Sequence, residues 1–345
     1  MRRGWMDWVP EEVPESLLRS RVAEVAVACR ERGFDALVLY ASFTRPAQVP
    51  ALVHFVPFWS QALLVVTADG RTLLTMATTG RTVQWIRSTA CVDEVIVGPE
   101  VGAVAGKWLD GKGRIGIAAM PDVPQAVLAG LQRTLPHAQL MDAQAWYGEL
   151  EAGFLPPPQL SQRAAAIARE ALAEVVPAAS RRANAIVAAV EGHCRRHGAE
   201  EVLVTMAPDL RQSATLHRLE GDASLGDRFA VQASLAYKGT WLRLASSYVR
   251  TGTGFVERPE CARARAALHG LAAGVIASEA ALAAARAAGS ALEDWQLEAR
   301  RAGLPLACVA AHGHGDGAVP PHATLSLQLR VGDDVVLLSD SPSFS

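Results

Sequence analysis

Paired cysteines are missing from this sequence. The five present, Cys29, Cys91, Cys194, Cys261 and Cys308, are scattered, odd in number and without paired spacing. That argues against a disulfide framework and for reduced thiols in a cytoplasmic compartment. Long apolar runs are missing too: no stretch reaches 18 residues, so no transmembrane helix is expected. The opening MRRGWMDWVPEEVPE has two arginines but no apolar segment, so it is not read as a secretory signal. Charge of one sign is not in excess. A net charge of -2 gives no footprint for nucleic acid or an anionic membrane surface. There is no strong internal repeat and no low-complexity tail.

What is present is ample apolar material. Half of the 345 residues are hydrophobic, enough for a real core, and the length suits two domains or one large one. Leu18, Val22, Val25 and Cys29 recur at three- and four-residue steps before Gly33, which predicts an amphipathic helix over Leu17–Gly33. Short apolar strands follow at Ala36–Tyr40, Gln61–Thr67, Thr72–Met76, Glu94–Val97 and Arg114–Ala118. Helical stretches alternate with them up to about Glu151. This is the pattern of an α/β domain, residues 1–153. Three consecutive prolines, Pro156 to Pro158, form a stiff linker.

The second half, 159–345, reads as α+β. Helices are predicted between about Gln159 and His197, over Glu257–Ala288 with a break near Gly270–Gly274, and over Ser290–Gly303. Strands are predicted at Glu200–Met206, Ala307–Ala311, Thr324–Leu329 and Val335–Ser339.

Its centre is Gly226–Arg250, which reads as a β-hairpin turning at Tyr237–Gly239. Gln232 interrupts an otherwise apolar or small strand, and Arg243 sits between Leu242 and Leu244. A buried polar group without a partner costs about 1–3 kcal/mol and a charge costs more, so this hairpin is the first place to look for chemistry.

Four further features carry a functional and a bland reading. His217, in the polar loop before the hairpin, suits a general base or simply a loop histidine. His312 and His314, in a Gly-rich turn, are spaced to reach one ligand, or are solvated. His193 and His197 have the i, i+4 spacing of metal ligands, yet also suit a solvated helix C-terminus. Thr251–Gly254 lacks the Lys-Ser/Thr ending of a phosphate loop and is read as the exit from the hairpin.

In their order these pieces resemble the creatinase/aminopeptidase P/prolidase family and its pita-bread fold. They are the loop Ser213–His217, the Gly-Asp-led strand, the Tyr-x-Gly turn, the aromatic-led second strand, the Ala-rich helices and the turn His312–Gly315. The resemblance implies a creatinase-type α/β domain followed by an α+β pita-bread domain with a shortened end. Members of the family that are metallopeptidases hold two divalent ions with two Asp, one His and two Glu. By that resemblance the Asp positions are occupied here by Gln232 and Arg243, and His312 matches the ligand histidine. Asp340 is the nearest stand-in for one glutamate, and the last has no counterpart. Such ions need anionic oxygen donors, whereas Gln232 is neutral and Arg243 a permanent cation.

Creatinase itself works without a metal, with a histidine as acid/base. The implied reading is therefore an enzyme without cofactor, hydrolysing a C–N bond or performing related chemistry on a small carboxylate- or amide-bearing molecule. His217 and His312 would be catalytic, and Arg243, Gln232, Tyr237 and His314 would bind substrate, with Arg45 a further candidate clamp. The family resemblance also implies a homodimer, and offers two alternatives: a non-catalytic binding or scaffold protein, and an Xaa-Pro metallopeptidase.

Overall fold

The computed structural model describes residues 7–42, 49–57, 60–178, 182–252, 254–272, 274–298, 311–312, 317–320 and 323–342. Two compact units are separated at Pro157/Pro158.

The first unit carries helices α1 (Glu15–Glu31), α2 (Val49–Val53), α3 (Val83–Thr89), α4 (Val101–Trp108), α5 (Gln125–Thr134) and α6 (Gln144–Glu151). Its strands are β1 (Ala36–Ser42), β2 (Gln61–Thr67), β3 (Thr72–Met76), β4 (Glu94–Val97), β5 (Arg114–Ala118) and β6 (Gln139–Asp142). They form one mixed sheet in the order β4-β3-β2-β1-β5-β6. The periodic face of α1 is buried as its spacing predicts: Leu18, Val22, Val25 and Cys29 are all under 5% exposed. Gly33, at φ +69°, closes the helix. Its N–H donates to Arg30 O, and Phe34 N–H donates to Cys29 O. These are the paired bonds of a Schellman end, whose left-handed position favours glycine.

The second unit begins with α7 (Pro158–Glu170), which runs through a π-helical turn, Ala171–Val175, into α8 (Val176–Ala178). Then come α9 (Ala183–Arg196), strands β7 (Glu201–Ala207), β8 (Arg228–Tyr237), β9 (Thr240–Arg250) and β10 (Phe255–Glu257), and helices α10 (Pro259–His269) and α11 (Ala277–Ala288). Strands β11 (Ala291–Glu298), β12 (Ala311–His312), β13 (Thr324–Val331) and β14 (Asp334–Asp340) complete it. Among the described residues these strands make an eight-stranded antiparallel sheet, in the order β12-β11-β13-β14-β9-β8-β7, with β10 on β9.

One sequence expectation fails here. Ser290–Gly303 reads as a helix, but Ala291–Glu298 is a strand paired with β13. Trp295 and Leu297 are buried and alternate with Asp294, Gln296 and Glu298. That period of two, together with a partner strand, overrides helix propensity.

The sheet has two chemically different faces. One is apolar. Leu297, Leu325, Leu327, Leu329 and Leu338 pack there with Cys261, Leu268 and the alanines of α11. The other carries Thr205, Gln232, Ser234, Arg243, Gln296, Ser326, Gln328 and Ser339, which the strand registers place side by side. A strand alternates its side chains between faces, so the helices cover one face and leave a polar one.

The hairpin turn is tight. Tyr237 pairs with Thr240 across Lys238 (φ +45°) and Gly239 (φ +76°). Two positive φ values in a two-residue loop match the right-handed twist of the flanking strands. The turn amides of Lys238 and Gly239 donate to the Glu200 carboxylate at 2.9 and 2.6 Å.

Four cysteines lie in the described residues, all buried and unpaired. Burial pushes the thiols of Cys29, Cys194 and Cys261 up to about 12, so they remain protonated and inert. No described helix is long and apolar enough to cross a membrane.

A candidate active cleft on the polar face of the second sheet

A cleft of about 180 Å³ opens on the polar face. Gln232 and Arg243 line it, with Gln296, Ser326, Gln328 and Ser339 from the three neighbouring strands. The register explains the convergence: Gln232 faces Ala245, Ser234 faces Arg243, and Ser339 faces Ala245 from the other side.

Arg243 is not a free cation. Its Nη1 donates to Glu298 Oε1 at 2.6 Å, and its Nε donates to Ser234 Oγ at 3.2 Å. Glu298 is 0% exposed, while the Arg243 side chain keeps 26% of its surface open. A carboxylate buried this fully demands a cation, and Arg243 supplies it. Nη2 of Arg243 has no hydrogen bond among the described residues. Thr205 Oγ1 donates to Gln232 Oε1 at 3.1 Å, which leaves the Gln232 amide hydrogens free for a ligand.

The other predicted site residues lie in different places. His217 is exposed. Its backbone makes a bridge with Met206, and its Nδ1 is 3.2 Å from Thr215 O. It does not line the cleft, although Ala214 and Leu216 of the same loop do. Tyr237 closes the hairpin end, beside Gly198 and under Lys238 Nζ, away from the cleft. The backbone of His312 pairs with Gln296, which places it on the strand bordering the cleft. His314 and Arg45 lie outside the described residues.

Asp340 corrects one expectation. It stands next to Ser339, and a one-residue step along a strand turns a side chain to the opposite face. Ser339 therefore reaches the cleft, and Asp340 points away from it, 1% exposed. There it accepts bonds from Arg169 Nη2 at 2.6 Å and Arg265 Nε at 2.8 Å, with His269 Nε2 at 3.4 Å. Burial alone raises this carboxyl. Hydrogen bonds from His269 and Arg169 and the charges of Arg169 and Arg265 outweigh it and hold the group below the usual carboxylate range. Arg265 also binds Glu257 and Ser246, so Asp340 anchors α7 and α10 to the sheet.

Glu298 escaped sequence reasoning because its segment reads as helical. The alternation of Asp294, Gln296 and Glu298 with Trp295 and Leu297 was the signal available. Gln328 and Ser326 were hidden in the same way, as polar members of an otherwise leucine-rich strand.

No family model matches the chain, and no curated protein matches it in sequence. Solved structures do match in fold. An Xaa-Pro dipeptidase from Bacillus anthracis superposes with TM-score 0.59 at 13% identity, covering 95% of each chain. An X-Pro aminopeptidase from Thermotoga maritima gives TM-score 0.61 at 14% identity, over 90% of this chain and 93% of its own. A His350Ala variant of Escherichia coli aminopeptidase P gives 0.62 at 13%, over 95% and 92%. The chain therefore has the pita-bread fold behind an α/β domain, as the order of its motifs predicts.

The dinuclear metal centre implied by the resemblance does not fit the residues of the cleft. At the two aspartate positions stand a neutral amide and a guanidinium already held by Glu298. Among the described residues, three or more potential ligand side chains converge at one place only, and that place is not the cleft.

Proposed function

We propose that this chain is a pita-bread hydrolase that works without the two-metal centre, on the C–N bond of a small carboxylate- or amide-bearing molecule. The observation that carries this reading is Arg243, which lines the cleft and is held from beneath by the buried Glu298. A fixed guanidinium with an open Nη2 offers charge-assisted donors to a substrate carboxylate. The amides of Gln232 and Gln296 orient the rest of the molecule. His217 and His312 are the acid/base pair of this reading: the loop of His217 borders the cleft through Ala214 and Leu216, and His312 pairs with Gln296. In the step itself, water adds to the carbon and a histidine returns the proton to the departing nitrogen.

The test is turnover of a panel of Xaa-Pro dipeptides and N-acyl or guanidino acids, with and without added manganese or cobalt. Turnover that is indifferent to these metals and lost in Arg243→Ala supports the reading. Turnover only with the metals, together with two ions bound in the cleft, would establish an Xaa-Pro metallopeptidase instead. The names of the solved neighbours favour that alternative, and the donor set opposes it.

A second reading, binding without catalysis, draws on Arg243 being engaged by the protein's own carboxylate and His217 being exposed. A ligand held with no turnover, and held more weakly by Arg243→Ala, would identify it.

A further inference from the structure

We propose that Glu170, His193 and His197 form a mononuclear site for a late transition divalent cation, zinc foremost, on the helical side of the second unit and separate from the cleft.

Sequence spacing places the two histidines one turn apart, His193 in the last turn of α9 and His197 at its C-cap, and the fold brings the last residue of α7 to them. One ligand atom from each of the three lies within 4.8 Å of the others. The His193 Nε2 to Glu170 Oε2 distance is 3.6 Å, longer than a hydrogen bond. Around a tetrahedral zinc, with bonds of about 2.0–2.1 Å, neighbouring ligand atoms stand roughly 3.3 Å apart, so small side-chain movements suffice.

The state of each group fits ligation. His193 is 8% exposed, and its Nε2 is fully buried with no hydrogen-bond partner. A polar nitrogen left like this in a folded protein demands an explanation, and a cation supplies one. His197 Nδ1 lies 3.0 Å from His193 O. A carbonyl only accepts, so Nδ1 carries the hydrogen and the lone pair resides on Nε2. This is the usual way a backbone group orients a metal-bound histidine. The two rings already lie 4.2 Å apart.

Glu170 supplies the anionic oxygen, and it sits at the point where α7 passes into the π-helical turn. Such turns are frequent at functional positions. Its side chain is 42% exposed, which gives the ion an entry path and a solvent-facing coordination position. Two imidazoles and one carboxylate suit zinc, copper or nickel rather than magnesium or calcium.

The test uses the full-length chain without a histidine tag, stripped of metal and titrated with zinc chloride by calorimetry. Thermal unfolding is followed in parallel. We expect one zinc per chain, a higher Tm with zinc, and binding weakened by more than about tenfold in His197→Gln and in Glu170→Gln. His193→Gln is a third variant, read only if its circular dichroism matches the parent. Gln232→Ala, in the cleft, should bind zinc like the parent. Failure to bind zinc, or unchanged binding in both His197→Gln and Glu170→Gln, would overturn the site. Loss of binding in Gln232→Ala would overturn its location.

Discussion

Arg243 Nη1 reaches Glu298 Oε1 at 2.6 Å, joining β9 to β11 across two intervening strands of the sheet. The pair stands where the resemblance would put a metal-binding aspartate. It turns a position for an anion into a cation already matched to a buried carboxylate.

The two partners of this pair should respond unequally to mutation. Arg243→Met removes the guanidinium that the fully buried Glu298 carboxylate accepts from, and should cost up to about 3–5 kcal/mol. Glu298→Leu should cost less, because Arg243 is partly exposed and its long side chain can take its charge to water. The double variant should cost well under the sum of the two. Urea unfolding of the four proteins measures this, and simple additivity would show that the pair is not coupled.

Anionic donors restored to the cleft should restore an affinity for divalent ions. Gln232→Asp combined with Arg243→Asp places carboxylates at diagonal positions of the paired strands β8 and β9 and removes the guanidinium that Glu298 binds. Without metal this variant should be less stable than the parent through like-charge repulsion. Manganese should raise its Tm and leave that of the parent unchanged, because the two new carboxylates supply anionic oxygens that a hard cation needs. Equal manganese responses in the two proteins would count against the donor argument.

Asp340 predicts acid sensitivity. Its folded carboxyl is held below the ordinary range, so its contribution to stability is present above the unfolded-state value. That contribution is lost as pH falls through the depressed folded value. Asp340→Asn should unfold more readily than the parent at pH 7, since Arg169 and Arg265 lose their carboxylate. Its stability should also fall less steeply on acidification. Denaturant midpoints from pH 7 down to pH 3 would reveal the difference, and parallel curves would rule the role out.

The hairpin turn gives a local test. Gly239→Val forces a β-branched residue to φ +76° and should cost about 1–3 kcal/mol. Lys238→Gly, at φ +45°, should be neutral within about 0.5 kcal/mol, since glycine adopts that conformation without strain. Thermal unfolding distinguishes the two, and equal losses would exclude backbone conformation as the cause.

By itself the sequence predicted the fold and, through the family resemblance, placed a neutral amide and a guanidinium at the two expected aspartate positions. Apolar spacing alone specifies α1 and most of the strands, because burial rewards periodicity locally. The order of short motifs was enough to predict a pita-bread domain, and Gln232 and Arg243 could be placed by their spacing within the hairpin. Tertiary structure decided what those residues touch. Whether Arg243 is free or paired depends on Glu298, 55 residues away on a strand that reads as a helix until its partner is seen. Whether Asp340 or Ser339 reaches the cleft turns on one residue of register, which only strand pairing sets. The pairing of Glu170 with two histidines 23 and 27 residues further on is likewise a product of helix packing, since no local pattern encodes how α7 lies on α9.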